Sequence, residues 1–141
     1  MKDNNEPKEP YELFGIECGD GWKNLYQPII AYIEKYNKDK KGEDKIEIYQ
    51  IKEKFGGLNV YLSHYTVELT NMIKVAEEQS YHTCEICGRH INKPIEEHHW
   101  IYTMCRACYD EMKEKQEIAI EEVAKKIKKR KRAMKGENSK D

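Results

Sequence analysis

The segment Thr83-Cys-Glu-Ile-Cys-Gly-Arg-His-Ile-Asn-Lys-Pro-Ile-Glu-Glu-His-His-Trp-Ile-Tyr-Thr-Met-Cys-Arg-Ala-Cys108 carries two Cys-x-x-Cys units, Cys84/Cys87 and Cys105/Cys108, with 17 residues between them. Two residues between cysteines let both thiolates reach one ion from a tight turn, and a second such turn completes a tetrahedron of sulfurs. The spacing falls in the range of a four-cysteine zinc site. A redox dithiol is the competing reading of one unit, and a second unit at this distance argues against it. Gly88 follows Cys87, where a knuckle turn favours a residue without Cβ. One zinc ion is therefore expected on Cys84, Cys87, Cys105 and Cys108. Four thiolates leave no position for water, so such a metal is structural rather than catalytic. The fifth cysteine, Cys18, has no partner and reads as a free thiol.

Upstream, the hydrophobic period changes twice. Trp22, Leu25, Tyr26, Ile29, Ile30, Ile33 and Tyr36 or Asn37 recur at i, i+3/i+4, which predicts a helix with one apolar stripe. Asp20 is its expected N-cap. Pro28 requires either a kink or a helix whose regular part begins near it. After the polar run Asn37 to Asp44 come two strand-like stretches, IEIYQIKEKF and LNVYLSHY, separated by Gly56-Gly57. They predict a β-hairpin turning at the two glycines. Thr66 is a reasonable N-cap for a second helix, with Leu69, Met72, Ile73 and Ala76 on one face, ending near Ser80 to His82.

The fold class predicted is α+β: helix, β-hairpin and helix over 13–82, a four-cysteine zinc-ribbon-like module over 83–109, and a long charged helix over 110–135. Residues 1–12 and 136–141 read as disordered tails. Because one hairpin is marginal alone, the two helices are expected on one of its faces, with the zinc module at the edge. With 38% hydrophobic against 36% charged residues in 141, the core is lean, a situation often relieved by a metal or by oligomerisation.

A net charge of -1 gives no global attraction to nucleic acid, but the distribution is uneven. Lys125, Lys126, Lys128, Lys129, Arg130, Lys131, Arg132 and Lys135 form a run without an acid. It would suit several phosphates, or it is simply a solvated helix end with cations placed near the negative pole of the dipole. On the hairpin, Lys52 and Lys54 lie near Tyr49 and Tyr61, an arrangement that can hold phosphates or stack bases. Lysines there also blunt an edge strand, which is the commoner use. No stretch approaches the roughly 20 apolar residues of a membrane span, and Met1 to Pro10 has no apolar signal core. A cytoplasmic setting, in a bacterial host cell, is the expectation, where paired cysteines serve metals more often than disulfides.

Between the two knuckles stands Glu96-Glu97-His98-His99-Trp100. A Cys-x-x-Cys, an acidic-His-His stretch and a second Cys-x-x-Cys resemble the zinc-containing members of the HNH endonuclease family. The resemblance implies that His98 or His99 would activate water beside a divalent metal. The pattern departs from the family in several places. Only five residues separate His99 from Cys105, which leaves little room for a second strand; Tyr109 follows the last cysteine; and no second metal-binding histidine follows. A plain hairpin with Trp100 packed against the zinc site is the alternative for this stretch, and His64, His82 and His90 stand alone.

Gly21-Trp22, Ile51-Lys-Glu-Lys-Phe-Gly-Gly-Leu58 followed by Val60-Tyr61, and Ser80 with Thr83-Cys-Glu-Ile-Cys-Gly88 resemble a family of small phage and prophage proteins over residues 15–108. The resemblance implies a phage or prophage setting, a zinc-ribbon-like end and no assigned activity. Small phage proteins without catalytic machinery often bind host machinery, including defence systems. The sequence therefore points to a non-enzymatic, zinc-stabilised binding protein engaging nucleic acid or a host protein, as a counter-defence inhibitor in the latter case. An HNH-like metal-dependent nuclease and a binder of a small nucleotide signal are the alternatives.

Overall fold

The computed structural model describes residues 15–138. The expected tail at 1–12 lies outside them, as do residues 139–141, whereas 136–138 continue the last helix. The chain divides into two compact units, one ending at Cys105 and one beginning at Arg106.

The first unit contains strand β1 (Ile16–Glu17), helix α1 (Lys23–Asn37), strands β2 (Ile48–Lys54) and β3 (Gly57–Leu62), helix α2 (Val67–Ser80), and the short strands β4 (Ile95–Glu97) and β5 (Trp100–Tyr102). Strands β1, β2 and β3 form one sheet in that order, β1 parallel and β3 antiparallel to β2; β4 and β5 form a separate hairpin. Helix α2 packs on α1 and on β3, so both helices belong to one layer over the sheet. The expected helix–hairpin–helix body is present, with β1 as an addition.

In α1 the predicted stripe is the buried face: Trp22, Tyr26, Ile29, Ile30 and Ile33 are buried, and Leu25 and Tyr36 pack at the margin. The helix starts differently from expectation. A 3-10 turn, Asp20–Trp22, precedes Lys23, and Asp20 makes no capping hydrogen bond; Gly19 occupies the cap position. Pro28 lies inside α1 without interrupting it. It sits on the exposed face, as does Asn24, so the carbonyl that loses its helical donor can be hydrated. At the other end Asn37 donates through Nδ2 to the Ile46 carbonyl (2.9 Å) and accepts at Oδ1 from the Ile46 amide (2.8 Å). This side chain closes the 38–45 loop as a strand partner would, and delivers Ile46 into the core.

The sheet's inner face is built from Ile48, Ile51, Leu58, Val60 and Leu62, all buried. Ile48 and Ile51 are three apart yet both point inward, because a register irregularity between Ile48 and Gln50 shifts the alternation by one residue. Tyr49 is left exposed by it. Helix α2 follows expectation: Thr66 accepts from the Leu69 amide at 3.0 Å, and Leu69 and Ala76 are buried with Met72 and Ile73 beside them.

The hairpin turn lies one residue earlier than the glycine pair suggests. Lys54 pairs with Gly57, so the two turn residues are Phe55 and Gly56, at φ 52° and 84°. Two left-handed residues in succession give the turn whose twist suits a hairpin. Gly57 is instead the first residue of β3, and a Cβ there would meet the Tyr81 hydroxyl at 2.5 Å. Phe55, 77% exposed, therefore holds a left-handed conformation without burial to compensate. Replacing Phe55 with Asn, which tolerates that conformation, should stabilise the fold by about 1 kcal/mol. Denaturant unfolding of the variant checks this; a lower midpoint would show that the Phe55 ring contributes more than its strain costs.

Candidate metal centre

The first knuckle forms because its backbone is bonded inside and out. Within it, the Gly88 amide donates to the Cys84 carbonyl (2.9 Å) and the Cys84 amide to the Arg89 carbonyl (2.7 Å). Gly88 has φ 80°, the conformation for which its missing Cβ was expected to matter.

Outside it, the N-terminal segment docks along Thr83–Glu85. The Gly21 amide donates to the Glu85 carbonyl (2.7 Å), the Gly19 amide to Glu85 Oε1 (2.9 Å), and Trp22 Nε1 to the Thr83 carbonyl (2.8 Å). On the other side the Glu85 amide donates to the Thr103 carbonyl (2.8 Å), while the Thr103 hydroxyl donates to the Gly56 carbonyl at the hairpin turn. A Cβ on Gly19 would stand 2.3 Å from the Glu85 carbonyl oxygen, and one on Gly21 2.1 Å from that of Cys84. Both glycines are thus required for the backbones to meet.

The second knuckle opens helix α3 (Arg106–Asn138): Cys105 immediately precedes it and Cys108 lies in its first turn. A helix N-terminus favours negative charge, which suits thiolates. The four ligand sulfurs, from Cys84, Cys87, Cys105 and Cys108, all lie within 4.8 Å of one another. A tetrahedral zinc with bonds of about 2.3 Å sets its sulfurs about 3.8 Å apart, and Cys87 Sγ and Cys105 Sγ are 3.7 Å apart. Cys84 and Cys105 are buried, Cys108 is half-buried and Cys87 exposed.

Burial works against the Cys84 thiolate, yet the backbone amides of Cys87, Cys105 and Ile86 and the Cys87 side chain outweigh it, drawing its pKa down to about 7. The donor set therefore fits a metal, and thiolate chemistry with this geometry favours zinc. Cys18 is the opposite case. Burial first, then the carboxylates of Glu85 and Asp20, push its pKa up to about 12, as befits a packed, unreactive thiol.

The stretch between the knuckles forms the hairpin expected as one of its readings, and differs from expectation in two details. The five residues after His99 do accommodate a second strand, since β5 pairs with β4 over Ile95–Glu97 and Trp100–Tyr102. This is possible because His98 and His99 themselves form the two-residue turn, at φ 51° and 65°. His98 is almost fully exposed, 3.7 Å from Glu97 Oε1. Trp100, expected to pack against the metal site, is 61% exposed, with its ring 6.5 Å from that of Tyr102. Among the described residues, the four cysteines are the group of three or more ligating side chains close enough to hold a metal. His82 and His90 stack on each other at 6.2 Å, and the His82 ring nitrogen Nδ1 lies 3.0 Å from the Asn92 carbonyl.

The remaining sequence candidates lie on different elements. Lys125, Lys126, Lys128, Lys129, Arg130, Lys131, Arg132 and Lys135 are all exposed on α3. Lys52 and Lys54 project from β2, their Nζ atoms over the Tyr61 and Phe55 rings at 5.7 and 5.8 Å. What the residue reading missed is the docking set Gly19, Gly21, Trp22 Nε1 and Thr103; the only signal for it is the pair of glycines flanking Asp20 just before a helix. Compared with protein-family models, curated proteins and solved structures, the chain finds no match.

Changing Cys84 to Ser should abolish stoichiometric zinc and melt residues 83–109, since such sites fold with their metal; full zinc content in that variant would refute the four-cysteine assignment. At pH 8 the metal-loaded chain should react slowly with a thiol reagent. Chelation should then release four fast thiols while Cys18 stays slow, because its pKa lies far above that pH. Gly21→Ala should destabilise the fold by roughly 2 kcal/mol or more, since the new methyl meets backbone on its far side; an unchanged thermal midpoint would contradict the docking.

Proposed function

We propose that this chain is a non-enzymatic, zinc-stabilised binding protein of phage or prophage origin that acts in the bacterial cytoplasm by engaging nucleic acid through α3. The observation that carries the reading is the run of eight exposed cations between Lys125 and Lys135, uninterrupted by any acid. Neutralising phosphates with such a run releases counterions, so affinity comes without base recognition and falls steeply with salt. A closed set of four thiolates supports a structural metal, which leaves binding rather than metal chemistry as the role of the folded body. No helix among the described residues is long and apolar enough to cross a membrane.

A host protein, with the chain as a counter-defence inhibitor, is the second reading. It is favoured by the exposed Trp100 and Phe55 at two hairpin ends, since aromatic side chains anchor protein interfaces. The hairpin β4–β5 followed by α3 also keeps the nuclease reading open, with His98 and His99 in the turn. Against it stand the exposure of His98 and the absence, among the described residues, of a second ligating group of three near the histidines.

Fluorescence anisotropy with labelled single- and double-stranded oligonucleotides tests the proposal. Binding should weaken about 100-fold between about 50 and about 200 mM salt if about four phosphates are engaged, and removal of residues 124–141 should abolish it. Binding unchanged by that removal would reject α3 as the contact. Cleavage of the oligonucleotides in Mg²⁺ or Mn²⁺, lost in His98→Ala or His99→Ala, would establish the nuclease in its place.

A further inference from the structure

Helix α3 carries an apolar stripe that its charges do not explain. Ile120, Val123, Ile127 and Met134 follow the three- and four-residue steps that place them on one side of a helix, and they are 68%, 55%, 49% and 65% exposed. From Ile120 to Met134 the helix advances about 21 Å, so the stripe is a seam of about four turns rather than a spot. Phosphates would satisfy the cations around it and leave these four side chains in water.

The charges on the same helix are segregated along its length. From Asp110 to Glu122 there are six acidic side chains (Asp110, Glu111, Glu114, Glu117, Glu121, Glu122) and two basic ones. From Lys125 to Lys135 there are eight basic and no acidic side chains. The first half stabilises itself, with ion pairs Arg106–Asp110 at 3.4 Å and Glu111–Lys115 at 3.1 Å, both one turn apart. Beyond Lys125 and Lys126, which follow Glu121 and Glu122 by one turn, the second half cannot do so. Lys125–Lys129, Lys126–Arg130, Lys128–Arg132 and Lys131–Lys135 are one-turn pairs of like charge, which oppose the helix. A partner that is both anionic and apolar along one line would suit it. Lys125, Lys128, Lys129, Arg132 and Lys135, which lie off that line, would still face phosphates in the nucleic-acid reading above.

We propose that α3 pairs antiparallel with α3 of a second copy of this chain, burying Ile120, Val123, Ile127 and Met134 along the seam. Antiparallel pairing lays the acidic half of each helix against the basic half of the other, whereas parallel pairing would set eight cations against eight. The seam residues step as the a and d positions of a heptad, with Arg130 in the line between Ile127 and Met134. One edge of the seam then carries Glu117, Ala124 and Lys131, seven residues apart. An antiparallel pair centred on Ala124 places a small side chain at the two-fold axis and brings Glu117 of each copy opposite Lys131 of the other. The seam side chains of the two copies interdigitate at that register.

Sedimentation equilibrium of the full zinc-loaded chain, freed of nucleic acid, tests this. A concentration-dependent dimer that weakens as salt rises is expected. Ile127→Asp should give a monomer that retains its zinc and the circular dichroism of the body. Glu117→Lys and Lys131→Glu should each weaken the dimer by roughly five- to tenfold, and the double exchange should restore it, because the ion pair is then only reversed. A monomer at every accessible concentration overturns the proposal, as does a dimer indifferent to Ile127→Asp. A dimer that strengthens with salt and is not rescued by the double exchange overturns the antiparallel arrangement.

Discussion

The first unit depends on one backbone docking: the segment Thr83–Glu85, held by the amides of Gly19 and Gly21 and the Trp22 indole on one side and by Thr103 on the other. Each of these bonds is individually modest, about 1 kcal/mol net, but their geometry is demanding. They require two glycines where peptide planes touch, and they commit Trp22 to two tasks. Its ring is fully buried in the hydrophobic core while its nitrogen addresses the knuckle. The same tryptophan therefore joins the helical layer to the first knuckle, and the cysteines inherit their positions from the body rather than from a metal alone.

Thr103 extends that logic to the hairpin turn. Its backbone carbonyl receives the Glu85 amide and its hydroxyl reaches the Gly56 carbonyl, so three segments distant in sequence meet at one buried residue. A Cβ on Gly56 would come within 2.6 Å of Ile101. The glycine doublet at 56–57 thus has two spatial duties, one toward β5 and one toward Tyr81, beyond allowing the chain to reverse.

The parts of the fold legible in the sequence are those where chemistry or periodicity constrains residue type. Four cysteines at ligand spacing, the stripe of α1 and the alternation of Leu58, Val60 and Leu62 leave few other solutions. The rest was hidden for physical reasons. A two-residue strand such as β1 has no period to detect, and parallel pairing of Ile16 with Ile51 is decided by tertiary contact. The hairpin turn took Phe55 in place of the second glycine because Gly57 is needed against Tyr81. A hairpin between the knuckles was one of two readings of that stretch, but its turn was not legible, since His98 and His99 both take left-handed conformations that few residues other than glycine adopt. The cation run was legible as composition, but composition alone assigns it no ligand.

The docking also has a kinetic side. Gly19 and Glu85 meet across 66 residues of chain, and Thr103 meets Gly56 across 47. Contacts of such separation are slow to close, because the intervening loop must be ordered first. During synthesis, Trp22 and the two glycines emerge long before their partners, and the body waits with one edge unfinished until the second knuckle has left the ribosome. Metal capture is then the last event of maturation rather than the first, and a cell short of zinc would accumulate chains whose helices and sheet are formed but whose N-terminal edge is open to proteases.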